Sequence, residues 1–479
     1  MITDVARVGV AADRSRWLQL SYAYAILAAA ILGYFLLLIP IQFTDAFIIM
    51  VNLEQPFSEV MRTTFADRAY LRPGLYGTLK LFYDLSDGNY FYWFRLTQVV
   101  QGALTLVLFV RMLQPRSSTA ATVVPLALAV LLGSHTFAWT VREAFPINTF
   151  LTILLCCVAA VNLSFARHRW WIDVAAIVLF TAAALTVESG LLVGVLFIAA
   201  YLLGLRGVSL RGVMVIGALF LGYFLLRFLV LGISVPGLSA RDAGFGFARR
   251  DASELVAMFG DNPLPFYAYN VVASLLSVLV AEPRDGVWRL VRGLTSGNLE
   301  PPFLIGVAST VLATAIVCRF AWRRRQAWME RRLERADQLV LLFVCVLLVN
   351  AAISYAYTKD VIMSPAGLFF AAAVYAAVCD LVATPSRSTW RGLGVVVMVA
   401  LLSTTWALRA VGLHAALAAS ARQVRAQGAY VDDLIAMRSY GELSPHALAL
   451  KQQLQDDAVI RHPARPPLRE TWTRLFEVE

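Results

Sequence analysis

The sequence predicts an all-α fold, a polytopic bundle of about eleven transmembrane helices. Two observations carry this. Of the 479 residues, 59% are hydrophobic and only 15% charged, against about 45–50% and about 25% in a soluble domain, and mean hydropathy is +0.68. The apolar residues also fall in runs of about twenty, the length that crosses a hydrocarbon core, with arginines clustered between the runs. Such clusters orient spans, because short cytoplasmic loops collect Lys and Arg. The net charge of +10 therefore gives no reason to expect a nucleic-acid partner.

Taken in order, spans are expected to begin near Leu20, Tyr90, Thr122, Ile147, Trp171, Leu191, Gly212, Phe303, Leu339, Gly367 and Leu393. Arg7, Arg14 and Arg16 put the amino terminus inside. Arg111 with Arg116, Arg167 with Arg169, and Arg206 with Arg211 then fall at inside loops as the spans alternate. Phe266 to Val280, "FYAYNVVASLLSVLV", is a further apolar run. A full crossing there would place "RFAWRRRQAWMERRLER", Arg319 to Arg335, outside. The segment is therefore expected to be re-entrant or surface-lying, packed on protein or lining a cavity. The carboxyl terminus then lies outside. The polar start through Arg16 leads into a span too long for a signal h-region, so no cleavable signal peptide is expected.

This topology gives a transmembrane unit, 1–413, with outer loops at 42–89 and 232–302 and a helical outer tail, 414–479. Inside are short connectors and the Arg-rich loop, expected to be a topology anchor. No soluble inner domain and no glycine-rich phosphate loop followed by Lys is present, which argues against chemistry on ATP or a nucleotide sugar. Cys156, Cys157, Cys318, Cys345 and Cys379 all sit in apolar runs and read as small hydrophobes. The five histidines are scattered without ligand spacing, so no His/Cys metal cluster is expected. Lys80, Lys359 and Lys451 are the only lysines. That bias toward Arg suggests a GC-rich bacterial genome, and hence the bacterial inner membrane.

In "IPIQFTDAFIIMVN" Asp45 follows the first apolar run directly. After it come "AFIIMVNL", "FSEVMRTTFA" and "GLYGTLKLFYDL", with apolar residues at helical spacing and breaks at Pro56, Pro73 and Gly74. They read as helices lying in the interface. Between them runs "DRAYLRPGLYG". An acid closing the first span, a long outer loop with juxtamembrane helices and a Tyr-x-Arg-Pro turn (Tyr70, Arg72, Pro73) together resemble the GT-C membrane glycosyltransferases. That superfamily includes protein O-mannosyltransferases and lipid A aminoarabinose transferases. "YFLLRFLVLG", with Arg227, and "YAYTKDVIMSPAG" before a late span are similar to the same superfamily. The likeness covers the plan of most spans up to about Leu413. Several of its families carry two adjacent acids where this chain has "TDA", so a divalent metal stays open as a cofactor.

The resemblance implies transfer of a sugar from a polyprenyl-phosphate carrier to a glycan, lipid or protein acceptor on the outer face. Asp45 would take the acceptor's proton as general base. Arg227, Lys359, Arg72 and Arg284 would meet the charge of the departing lipid phosphate, and Tyr70, Glu143 and Glu188 would border the substrate pocket. Each residue also has a plain reading. Asp45 can be a solvated helix end, and Arg227 can snorkel to the headgroups. Glu143, in "WTVREAFPIN", and Glu188, in "LTVESGLL", can pair with Arg142 or another arginine. Lys359 can pair with Asp360, and Arg72 can hold the turn with Pro73. Arg284, Arg289 and Arg292 can attract anionic lipid without specificity. The aromatics of "NYFYWFR" read as an interfacial belt, and the Ala-rich tail as an appendage or a cap on the outer loops. A flippase or transporter for a lipid-linked saccharide is the alternative from another class, although no repeat relates the two halves. An O-antigen polymerase or ligase is the alternative within the enzymes.

Overall fold

The computed structural model describes residues 2–41, 45–66, 71–142, 149–233, 237–240, 243–245, 248–260, 262–280, 286–297, 301–356, 358, 360–384, 389–420 and 444–460. The described residues are helical apart from short connections and one antiparallel hairpin, β1 (Ala243–Phe245) with β2 (Ala248–Arg250). Among the described residues seven helices are long and apolar enough to cross a membrane. In the numbering used here they lie in α1 (Ile2–Leu38), α5 (Tyr90–Leu113), α11 (Leu210–Phe224, continued through a π-helical turn Leu225–Val230), α15 (Pro301–Met329), α16 (Arg335–Ile353), α17 (Ser364–Ala383) and α18 (Thr389–Ser420). Five shorter apolar helices accompany them: α6 (Ser118–Leu132), α8 (Thr149–Phe165), α9 (Trp170–Ala184), α10 (Leu191–Leu202) and α13 (Leu264–Leu279). This is a helical membrane bundle.

The centre is α17, buried without interruption from Ser364 to Val378 against α6, α15 and α16. A helix apolar on every side is one that sits in a large core or in lipid. Two local features fix its start. The fully buried Asn350 of α16 donates to the Ile362 carbonyl (2.8 Å) and accepts from the Ala366 amide (3.3 Å). A Cβ on Gly367 would lie 2.2 Å from Thr136 Oγ1, so only glycine permits that approach.

The helix ends sort into two faces. At one face Arg324 grips the buried Asp337 with two hydrogen bonds, Nε to Oδ1 at 2.9 Å and Nη2 to Oδ2 at 2.6 Å, and Trp328 donates to the same carboxylate. Arg335 donates to the Met112 carbonyl at the end of α5 (2.6 Å) and lies 3.5 Å over the Phe165 ring at the end of α8. Gln338 donates to Leu203 beyond α10, and Arg323 pairs with Asp380 near the end of α17 (2.8 Å). The run expected to serve only as a topology anchor is thus, with Gln338 just beyond it, also a clasp on α5, α8, α10 and α17, and at α5 and α10 it supplies donors that free C-terminal carbonyls need.

The opposite face carries a roof. It is built by α2 (Asp45–Asn52), α3 (Phe57–Ala66) and α4 (Pro73–Ser86), broken at Pro56 and Pro73 as their sequence predicts. The roof core joins Phe47, Met50, Leu79 and Phe94 with Leu450 and Leu454 of the last described helix, α19 (Pro445–Ile460). Tyr83 Oη stands 3.0 Å from His446 Nε2, and Gln453 donates to the Gly88 carbonyl. The described part of the tail is therefore a cap on the first loop. Of the aromatic residues in "NYFYWFR" only Tyr92 and Trp93 face outward. Tyr90, Phe91 and Phe94 pack into the roof, so the stretch is half belt and half core.

In the loop 232–302, α12 (Ala252–Phe259) starts at a reciprocal capping box between Asp251 and Glu254, which satisfies two helix N–H donors at once. From the roof face, where Asn270 donates to the Tyr355 carbonyl (3.0 Å), α13 runs to Leu279, whose carbonyl accepts from Thr314 inside α15 (2.7 Å). The segment α14 (Gly286–Ser296) follows.

Candidate functional site

Three of the residues singled out by sequence meet at the roof face. The chain leaves α9 at Leu185, passes through extended Val187 and enters a single 3-10 turn, Glu188–Gly190. Gly190 makes this fold-back possible, since a Cβ there would lie 1.9 Å from the Ala183 carbonyl. The Arg72-Pro73-Gly74 corner docks on the same place. Pro73 is the first residue of α4, where its missing N–H costs nothing, and the Gly74 amide donates to the Leu185 carbonyl at 2.9 Å. Arg72 is thereby aimed at Glu188.

From the third side comes Arg227, in the π-helical turn that ends α11. Such turns are rare and frequently mark functional positions. Leu229 and Val230 beside it are about three-quarters exposed, whereas Arg227 is 7% exposed. The geometry is closed around Glu188. Arg72 Nη2 donates to Oε2 at 2.7 Å, and Arg227 Nη1 donates to Oε1 at 3.1 Å and to Tyr223 Oη at 3.0 Å. Among the described residues two cations share this one carboxylate, which gives the described cluster one net positive charge at the edge of the apolar bundle. The buried Nε of Arg227 makes no hydrogen bond. A buried donor left unfilled costs about 1–3 kcal/mol, and here it defines a position for an acceptor. For Glu188, the pairing with "another arginine" is what the structure has, and the partners are Arg72 and Arg227.

Of the remaining candidates, Asp45 opens α2. Its side chain, with Tyr70, Glu143, Arg284 and Lys359, lies outside the described residues. The chain approaching Asp45 is tied down by fully buried Arg95, which donates to the Pro40 carbonyl (2.7 Å) and to Gln98 (2.6 Å); Gln98 donates in turn to the Thr140 carbonyl. Among the described residues no three His, Cys, Asp or Glu side chains gather as a metal site.

Sequence reasoning missed five residues. Tyr223 had a signal, standing one helical turn before Arg227. Arg95 and Gln98 had another, a polar pair at i, i+3 inside an apolar run. Arg409 is buried in α18 and donates to Gly306, Ser309 and Thr310 of α15, and His414 is buried nearby. Fold and site together define a polytopic helical membrane protein with a cationic cluster where its bundle meets a roof of helices. Compared with family models, with curated proteins and with solved structures, the chain matches none.

Proposed function

We propose that the protein is a bacterial inner-membrane glycosyltransferase of the GT-C kind. In this reading it moves a sugar from a polyprenyl-phosphate donor to an acceptor on the extracytoplasmic face, with Asp45 as general base. The observation that carries the reading is the convergence of Arg72 and Arg227 on one carboxylate, with net charge and a buried Arg227 N–H left over. A leaving phosphate gains charge in the transition state, and fixed donors aimed at developing charge stabilise it without reorganising. The chain that leads to Asp45 departs from the same face of the bundle, so base and phosphate site share a side.

The topology proposed is eleven spans, the seven long helices with α6, α8, α9 and α10, and with both the roof and the tail outside. Those four are about 18–25 Å long, and a bilayer thins over short spans at a fraction of a kcal/mol per Å. The clasp residues Arg335 and Gln338 reach the ends of α8 and α10, which supports their crossing from face to face. Parity supports the count. Because α19 packs in the roof core, the chain beyond α18 returns to the face where α1 ends, and only an odd number of crossings allows that. A twelfth crossing by α13 breaks it. The Leu279 end of α13 lies beside Thr314, about 16 Å along α15 from Phe303, near the middle of a core ~30 Å thick, which supports a re-entrant helix.

The test is transfer from a polyprenyl-phosphate sugar by purified protein in lipid. Asp45→Asn keeps shape but loses proton acceptance, and should lower turnover by roughly 10²–10⁴, with donor KM little changed. Arg227→Ala should chiefly raise donor KM. Wild-type turnover in Asp45→Asn would remove Asp45 as the base and the mechanism with it.

A further inference from the structure

On another flank, between α1, α6 and α18, runs an open-sided groove of about 200 Å³. Leu27, Ile31 and Phe35 line it from α1, Pro125 and Ala129 from α6, and His414 closes one end from α18. Its floor is tight. A Cβ on Gly133, just past α6, would stand 3.0 Å from the Trp406 carbonyl, so glycine lets the backbones of α6 and α18 approach. Leu27 and Ile31 are 60% and 46% exposed, so the groove opens sideways onto the apolar surface that the bundle presents to lipid.

His414 does not belong to an ordinary apolar wall. It is 4% exposed, stacked on Phe35 with centroids 6.1 Å apart and edge-on to Phe137 at 6.4 Å. The Leu132 carbonyl faces the ring, yet neither ring nitrogen makes a hydrogen bond. A buried polar group without a partner is costly, and this one lines the groove. A neutral imidazole has one N–H to give and one lone pair to receive. Among the described residues no Arg, Lys, Asp or Glu lines the groove, so they offer nothing to a phosphate. The ligand it fits is a hydrocarbon chain bearing a neutral acceptor. Depth narrows the choice further. His414 stands three residues before Leu417, where the apolar span ends, hence about 4.5 Å inside that boundary. Glycerol ester carbonyls sit just beyond that boundary, between the hydrocarbon and the headgroups, about one helical turn from His414.

We infer that the groove holds one acyl chain of a glycerophospholipid from the roof-side leaflet, with the chain's ester carbonyl accepting a hydrogen bond from the His414 ring. None of Arg72, Glu188 and Arg227 lines the groove, so this lipid is separate from the proposed donor. The inference rests on the membrane character of the bundle and not on the transfer reaction.

The experiment uses the full chain in phosphatidylethanolamine–phosphatidylglycerol vesicles that contain a phosphatidylethanolamine with a diazirine on one acyl chain. After irradiation, mass spectrometry maps the adducts. They are expected to concentrate on residues 24–35, 125–132 and 407–414, above the lipid-facing side of α11. Ala129→Trp, which fills the groove, should remove that excess; Ala407→Phe at its rim serves where Ala129→Trp fails to fold. His414→Leu should lower groove labelling roughly fivefold, the worth of one hydrogen bond, while His414→Gln, which retains a donor, should keep most of it. Uniform labelling of α11 and the groove overturns the inference, as does labelling unchanged in both filling variants. Displacement of the phospholipid by undecaprenyl phosphate would make the groove the carrier's site and overturn it as well.

Discussion

Replacing Glu188 by Gln leaves the shape of the cluster at the roof intact and takes away the only carboxylate it has among the described residues. Arg72 and Arg227 then face each other across a neutral amide. Arg227 is the exposed partner least of all, at 8% of its side chain, whereas Arg72 and Glu188 keep 25% and 22%. Breaking a fully buried pair costs about 3–5 kcal/mol, and the partial exposure of two members lowers this to about 2 kcal/mol. The sharper quantity is coupling. Arg227→Met alone leaves Glu188 with Arg72, and with Glu188→Gln it removes the like-charge opposition, so the double variant should be more stable than the sum of the singles by about 1–2 kcal/mol. Equilibrium unfolding in mixed micelles, followed by tryptophan fluorescence, gives the four values of the cycle. Additivity within about 0.5 kcal/mol would mean that the cluster is not an electrostatic unit, and its claim to hold an anion would go.

Gly190→Ala should abolish monodisperse folding, since its Cβ meets the Ala183 carbonyl at 1.9 Å, while Gly217→Ala, with nothing within 4 Å, should fold normally; equal elution profiles in detergent would refute the fold-back constraint. Asp337→Asn should cost about 3 kcal/mol by stranding Arg324, against less than about 1 kcal/mol for Glu334→Gln at the exposed edge of the same pair, both read from thermal unfolding. Leu454→Ala should lose about 2–3 kcal/mol from the roof and Leu448→Ala, 52% exposed, almost nothing. In intact cells Lys451→Cys should react with a membrane-impermeant maleimide, and protection from it until the cells are opened would place roof and tail inside.

Hydropathy made the seven long apolar helices legible because each is a local property of about twenty residues. The breaks of the first loop were legible for the same reason, since Pro56 and Pro73 act where they stand. The individual members of the site were also visible, because Arg72, Glu188 and Arg227 are charges at the edges of apolar runs. Their assembly was not. Arg72 and Glu188 are 116 residues apart in sequence, and nothing local says which of several arginines a glutamate will meet. Faces of a helix were likewise lost in a reading by composition. "NYFYWFR" looks uniformly aromatic, yet a 3.6-residue period sends Tyr90, Phe91 and Phe94 inward while Tyr92 and Trp93 point out. The Arg-rich loop was read for its charge alone, which hid the carbonyls that its arginines satisfy.

Most buried and half-buried arginines among the described residues have a sufficient structural reason. Arg335 closes the end of α5 through the Met112 carbonyl, Arg95 holds the chain at Pro40, and Arg409 joins α18 to the small residues of α15. In each, a guanidinium serves oxygen atoms of helix ends or hydroxyls that would otherwise be short of donors. Arg324 goes further, since it is one cation between Asp337 and Glu334 and so carries a surplus of negative charge. Among the described residues the cluster at Glu188 has the opposite balance, two cations on one anion, with a glycine-dependent turn and a π-helical turn both bent to bring them together. A structural tie would be complete with either arginine alone. The second one adds charge repulsion to the folded state, and in the proposed function that repulsion is offset once a further anion arrives. The surplus is therefore where a phosphate-bearing substrate should be sought, and the clasp at the other face is not.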